Sequence, residues 1–144
     1  MLNLHERHKN AKKSRGGAVF SLELLLILPI VLVVCFAVVE FSLLLMGMQR
    51  VQAASSAACR IASLPATDIG AQERAMDDAV AAALGTEGMV NDYQMTTNLG
   101  AYPGDPVSVE VRVPMTAVAP NLLRIIGFNL EGRELTSLSA MCKQ

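Results

Sequence analysis

Two glutamates and three cysteines are the side chains in this 144-residue chain whose placement asks for a chemical explanation. Glu23 and Glu40 are the only charges in Ala18–Met48, a run of 31 otherwise apolar or small residues. Between them, Leu24–Val39 has no polar side chain except the thiol of Cys35. A carboxylate within hydrocarbon costs on the order of 2–3 kcal/mol by insertion scales, so Glu23 needs a partner or an interface. Glu23 can be neutralised by Lys13, Arg15 or lipid headgroups, or it can pair with a charge on a neighbouring copy or partner. Cys59 and Cys142 are the two thiols placed to form a disulfide if their part of the chain lies in an oxidising compartment. Cys35 is expected to face lipid or another helix.

Catalytic and metal chemistry have little to work with. Both histidines, His5 and His8, sit in a basic tail, where they read as solvated. From Arg50 onward there is no His, no CxxC spacing, no phosphate loop, and no Ser–His or Cys–His pair. Asp77 and Asp78 fall on the wet face of a helix. The expectation is a non-enzyme with no cofactor and no metal.

The elements that position these residues follow from the pattern. A bilayer core about 30 Å thick needs roughly 20 apolar residues as helix, so the apolar run is long enough to span. The first 17 residues carry five Lys/Arg (Arg7, Lys9, Lys12, Lys13, Arg15) against Glu6. From Arg50 on there are seven Lys/Arg and ten Asp/Glu, a balance of 7 − 10 = −3. A basic flank on one side of a span keeps that side cytoplasmic, which puts the C-terminal domain outside. A mildly acidic exported domain has no electrostatic reason to bind nucleic acid. The domain boundaries expected are a basic cytoplasmic leader over 1–17, a transmembrane helix over 18–48, a periplasmic extension of that helix over 49–64, and a small exported domain over 65–144.

Pro29 lies within the span and removes one backbone hydrogen bond, so a kink is expected there. Beyond Gln49-Arg50 the sequence stays helix-compatible to Pro65, which ends the helix near Ser63 or Leu64. Val51, Ala54, Ala58, Ile61 and Ala62 form one stripe of this extension, with Arg50 and Arg60 off it. Thr67 or Asp68 then caps an amphipathic helix over Ile69–Leu84, and Gly85 closes it. Its apolar face is Ile69, Met76, Ala79, Val80, Ala83 and Leu84. Its wet face is Gln72, Glu73, Arg74, Asp77 and Asp78. Met89–Leu99 is a weak strand candidate, and Ala101–Pro106 is a turn. Val107–Val113 alternates Val with Ser108, Glu110 and Arg112, the mark of a half-buried strand ended by Pro114. Ala119–Phe128 is a short apolar connection of one or two helical turns that either covers the sheet or touches the membrane. Leu135–Cys142 closes the chain as a strand, with Leu138, Ala140 and Cys142 facing one way. The fold class is α+β: a long N-terminal transmembrane helix extending into a small exported domain with one further amphipathic helix and a three- or four-stranded antiparallel sheet.

Several stretches together resemble the TadE-like family of the tight-adherence (Flp-type) pilus system. They are Arg15-Gly16-Gly17-Ala18-Val19, Glu23 with Pro29 six residues on, Val39-Glu40-Phe41, the Ala-rich Gln52–Ala62, the Pro103–Val109 turn and strand, and Leu135–Ala140. The resemblance implies a pilin-like fold and a protein that works through helix packing in a pilus or related secretion filament. It implies other pilin-like subunits and tight-adherence assembly proteins as partners. It also implies a prepilin peptidase acting around Gly17, Ala18 and Val19 at the bacterial inner membrane. The family pattern has Glu fifth in the mature chain, which Glu23 satisfies only for a cut after Ala18; a cut after Gly17 makes it sixth. The N-terminal amine of a cleaved neighbour is then one partner for Glu23.

Three other readings compete. The alternative without processing is a single-pass membrane anchor with a periplasmic binding domain unrelated to pili. A cleaved signal peptide is disfavoured because its apolar region normally runs only about 7–15 residues. Ser56-Ala57-Ala58-Cys59 looks like a lipoprotein box, but it follows Arg50 and a polar stretch well past the apolar run.

Overall fold

The computed structural model describes residues 22–66 and 68–144. The basic leader and the processing positions Gly17, Ala18 and Val19 lie outside the described residues, as does Thr67. The chain divides into two compact units, Met1–Val38 and Val39–Gln144. Helix α1, Leu4–Ala62, contributes to both.

In the first unit, the described helix is apolar and uncovered. Leu22, Leu24, Leu25 and Leu26 are all exposed, as are Val31 and Val34. This helix leaves most of its described apolar side chains exposed and is long and apolar enough to cross a bilayer. Glu23 is exposed on it, and Pro29 lies inside it.

The second unit begins ten residues earlier than the span boundary expected after Met48. Val39–Met48 belongs to the folded unit because Glu40 and Gly47 are buried there by later parts of the chain. The helix ends at Ala62, as Pro65 dictates. Helix α2 is Ile69–Leu84, with the bounds read from sequence. Asp68 accepts the N–H of Gly70 at its start, and Gly85 adopts φ 64° at its end, a conformation only glycine enters cheaply.

A short helix α3, Glu87–Asp92, follows, so Met89–Asp92 is helical and the strand expected from Met89 starts later. Strands β1 (Gln94–Leu99), β2 (Pro106–Pro114) and β3 (Glu134–Cys142) form one antiparallel sheet in the order β1-β2-β3. Val109 lies opposite Thr97 on one side and Ser139 on the other. Between β2 and β3 the chain makes helix α4 (Met115–Val118) and a 3-10 turn over Leu122–Ile126. The class is α+β with three strands.

The core lies on one face of this sheet. Val107, Val109, Val111 and Val113 are fully buried, each alternate residue of β2, as the pattern predicts. Against them lie Val51, Ala54, Ala58, Cys59 and Ala62 of α1, with Met76, Val80 and Leu84 of α2. Ile61, placed on the α1 stripe by sequence, is only half-buried, and Ile69 of α2 is exposed. The other sheet face carries Ser108, Glu110, Arg112 and the outward residues of β3. There Arg112 pairs with Glu110 at 2.9 Å, and Leu138, Ala140 and Cys142 share an exposed side.

Candidate functional site

Besides the apolar stripe packed in the core, polar side chains join α1 to the rest of the folded unit at several places along it. The first is Glu40. It is fully buried, and its Oε2 accepts the N–H of Leu123 at 2.9 Å. Leu123 stands at the start of the 3-10 turn, where backbone N–H groups lack internal partners. Asn121 at the cap position makes no capping bond. Its amide instead donates to Asn129 Oδ1 at 2.6 Å, and its own Oδ1 accepts the N–H of Leu130 at 3.4 Å. Glu40 therefore caps the turn from another element. The second carboxylate oxygen, Oε1, is buried and takes no hydrogen bond among the described residues.

Aromatic and cationic groups reinforce this contact. The rings of Phe41 and Phe128 are 5.7 Å apart at 51°. The Arg133 guanidinium lies 5.3 Å from the Phe128 ring centre, within cation–π range. Within the apolar connection 119–128, Ala119 and Leu123 are buried, as is Leu130 just after it. Its Ile125 and Ile126 face outward.

The second place is two helical turns further on. Gly47 is buried against Val118 of α4, closely enough that a Cβ at Gly47 would overlap Val118 Cγ1. Arg50 then donates to the carbonyl of Leu84 at 3.4 Å and to the Thr86 hydroxyl. A cation at the C-terminal end of α2 meets the unsatisfied carbonyls there.

The third place is the seam between α1 and β3. The Ser55 hydroxyl lies 2.9 Å from Ser137 Oγ and 3.0 Å from Ser139 Oγ. The Cys59 thiol donates toward the carbonyls of Ser139 (3.5 Å) and Val107 (3.8 Å). Ala54, Ala58 and Ala62 keep the helix close enough for these short side chains to reach. Where α1 ends, Gln72 of α2 donates to the carbonyls of Ile61 (3.0 Å), Ala62 (3.3 Å) and Leu64 (3.1 Å). Gln72 was expected on the wet face of α2. It instead satisfies the carbonyls that a helix end leaves unpaired.

The disulfide considered from sequence is not formed. Cys59 and Cys142 are both free thiols. Cys59 is buried under the sheet, whereas Cys142 is exposed on the face that carries Leu138 and Ala140. The period of two along β3 puts Cys142 on the opposite side from Ser137 and Ser139. Alkylation of the folded chain with a maleimide, read by peptide mass mapping, is expected to label Cys142 within minutes and leave Cys59 unlabelled until denaturant is added. Equal labelling of both would contradict the packing of α1 on the sheet.

Of the sequence-singled carboxylates, Glu23 stands exposed and Asp77 and Asp78 are exposed on α2. Asp77 accepts the Tyr93 hydroxyl at 3.1 Å beside an open groove of about 410 Å³ between α2 and β1. The residue that sequence reasoning undervalued is Glu40. Its signal was present: a second charge inside an apolar run, with no basic residue near it in sequence to neutralise it. These contacts fix α1 to the small sheet.

Comparison with known families matches residues 18–60 to the model described as TadE-like protein. The matched segment holds Glu23, Pro29, Glu40, Gly47, Ser55 and Cys59, so it covers the apolar run and the docking stripe of α1 together. Neither the curated proteins nor the solved structures give a match.

Proposed function

We propose that this TadE-like chain is a single-pass protein of the bacterial inner membrane that acts in assembly of a tight-adherence pilus or a related secretion filament. It works by association and not by catalysis. The observation that carries this reading is the family match over 18–60, which falls on a helix whose first described part is apolar and uncovered. TadE-like proteins are pilus-associated, and an uncovered apolar helix with one exposed carboxylate suits lateral packing with other membrane helices. The basic leader stays cytoplasmic and the folded unit is periplasmic, by the charge asymmetry across the span.

In this reading Glu23 sets register against a positive charge on a neighbouring pilin-like subunit, and a prepilin peptidase cleaves around Gly17–Val19. Glu23→Ala is expected to leave membrane insertion intact while lowering incorporation into assembled filament at least about tenfold. That is the scale set by removing one partner of a charge pair in a low-dielectric site. Filament yield in sheared fractions, compared with carbonate-resistant membrane protein, measures the two separately. Normal filament output from Glu23→Ala would favour an uncleaved anchor whose periplasmic domain binds something unrelated to pili. Intact mass of the membrane-extracted chain decides the processing step, since a chain beginning at Met1 rules it out.

A further inference from the structure

Exposed apolar side chains of the folded unit fall in several places. Val39, Phe41, Leu45, Met46 and Met48 continue the apolar side of α1, while Leu64, Ile69, Tyr102, Leu138 and Met141 are scattered over the rest of the surface, as surface apolar residues commonly are. Ile125 and Ile126 are different. They are adjacent, 90% and 56% exposed, and lie at the tip of the turn that Glu40 caps.

Depth along α1 says what they face. Leu24–Val39 is 16 residues, about 24 Å of helix at 1.5 Å per residue. A bilayer core of about 30 Å is longer than that, so a spanning helix carries Glu23, Glu40 or both within the hydrocarbon, and the exposed Phe41, Leu45, Met46 and Met48 continue its apolar surface past Glu40. Glu40 is covered there: no part of it is exposed, Leu123 N–H satisfies one oxygen, and Phe41 and Phe128 pack beside it. The polypeptide that covers Glu40 must then lie at the same depth. Its outer surface is Ile125 and Ile126, beside the exposed ion pair of Arg124 with Glu131 at 3.2 Å. An apolar tip over an aromatic pair, rimmed by charged side chains, fits a segment lying in the acyl–headgroup boundary.

We infer that the loop 122–128 is a second membrane contact of this chain, inserting Ile125 and Ile126 into the outer edge of the same bilayer that α1 spans. The occupant of this face is lipid, with acyl chains against the isoleucines. The inference rests on α1 spanning the membrane and is independent of any role in a pilus. It gives the folded unit two attachments to the membrane surface instead of one, which restrains its rotation about α1.

The chain contains no Trp, so a single substitution makes a clean probe. Full-length Ile125→Trp is reconstituted into phosphatidylcholine vesicles with and without bromine high on the acyl chain. Its emission is expected to be blue-shifted and to lose about half its intensity in the brominated vesicles, as a side chain at the acyl–headgroup boundary would. Ser108→Trp, on the open sheet face, is expected to keep its intensity in both. Carbonate-resistant retention of each variant, measured on the same vesicles, reports the span itself. Water-like, unquenched emission from a variant that remains carbonate-resistant would overturn the lipid contact while leaving the span standing. Emission insensitive to bromine but dependent on protein-to-lipid ratio would also overturn it, because the face then packs on a second copy. Release by carbonate would refute the span and the inference together.

Discussion

Gly47→Ala is expected to destabilise the folded unit by about 1–3 kcal/mol, the range for forcing extra atoms into a packed contact. The sign is the informative part. Within a helix, glycine to alanine ordinarily gains about 1 kcal/mol, because alanine loses less backbone freedom on folding. At Gly47 the added Cβ would overlap Val118 Cγ1 and approach its Cβ and Cγ2 at 3.2 Å. Val118 is a stiff β-branched side chain, so the overlap is relieved only by moving its backbone. Its four-residue helix is tied to the loop before β3 by Met115 N–H to the carbonyl of Arg133 at 2.9 Å and closed on itself by Ala119 N–H to the Met115 carbonyl at 3.1 Å. Gly70 supplies the comparison: a Cβ there meets nothing closer than Asp68 Oδ1 at 3.4 Å, ordinary contact. Gly70→Ala should therefore hold or raise stability by about 0.5 kcal/mol. Thermal or denaturant unfolding in micelles measures both. If the two alanines shift stability the same way, α1 does not approach α4 as closely as described.

Glu40→Ala is expected to release the 122–128 loop. The substitution leaves the buried N–H of Leu123 without an acceptor, which costs about 1–3 kcal/mol. The space left by the side chain adds a cavity term. Glu40→Gln keeps a carbonyl oxygen for Leu123 and should cost much less. The loop contains Arg124, whose exposed side chain makes it a trypsin site as soon as the turn opens. Cleavage after Arg124 should accelerate about tenfold or more in Glu40→Ala, since each 1.4 kcal/mol of opening is a factor of ten. It should stay close to the native rate in Glu40→Gln. Amide exchange at Leu123 should follow the same order. Equal cleavage of Ala and Gln variants would mean that volume, not the hydrogen bond, holds the turn.

Much of this architecture could be read from local chemistry. Asp68 and Gly85 bracket α2 because one supplies an acceptor to free N–H groups and the other enters the left-handed region. The four valines of β2 alternate with polar residues, so period alone fixed which side is buried. The α1 stripe was visible as small residues at helical spacing, although Ser55 and Cys59 were not counted in it. Those two face β3, and their polar atoms look like surface residues until the partners from β3 are in place. Met89–Asp92 went to helix because Thr86 and Glu87 begin a new turn directly after α2. Its side chains carry no period long enough to separate six residues of helix from strand.

The site was less readable for a related reason. Glu23 drew attention because its neighbours include a basic leader and a proline, which fit a familiar pattern. Glu40 looked like a second blemish in an apolar run. Its role depends on a backbone N–H at Leu123, 83 residues away, and a main-chain partner leaves no trace in side-chain identity. Gln72 was misjudged for the same reason, since its three acceptors are all backbone carbonyls.

The serine seam has a consequence for the order of events as the chain is made. Ser55 reaches its two partners across 82 and 84 residues of sequence. The docking side of α1 therefore leaves the ribosome long before β3 exists to cover it, and contacts of such separation form late. A stripe of leucines would be a hazard during that wait, open to any passing apolar surface. Alanine, serine and cysteine are poor bait. The same small side chains that let the sheet sit close in the finished protein also keep its unfinished helix quiet.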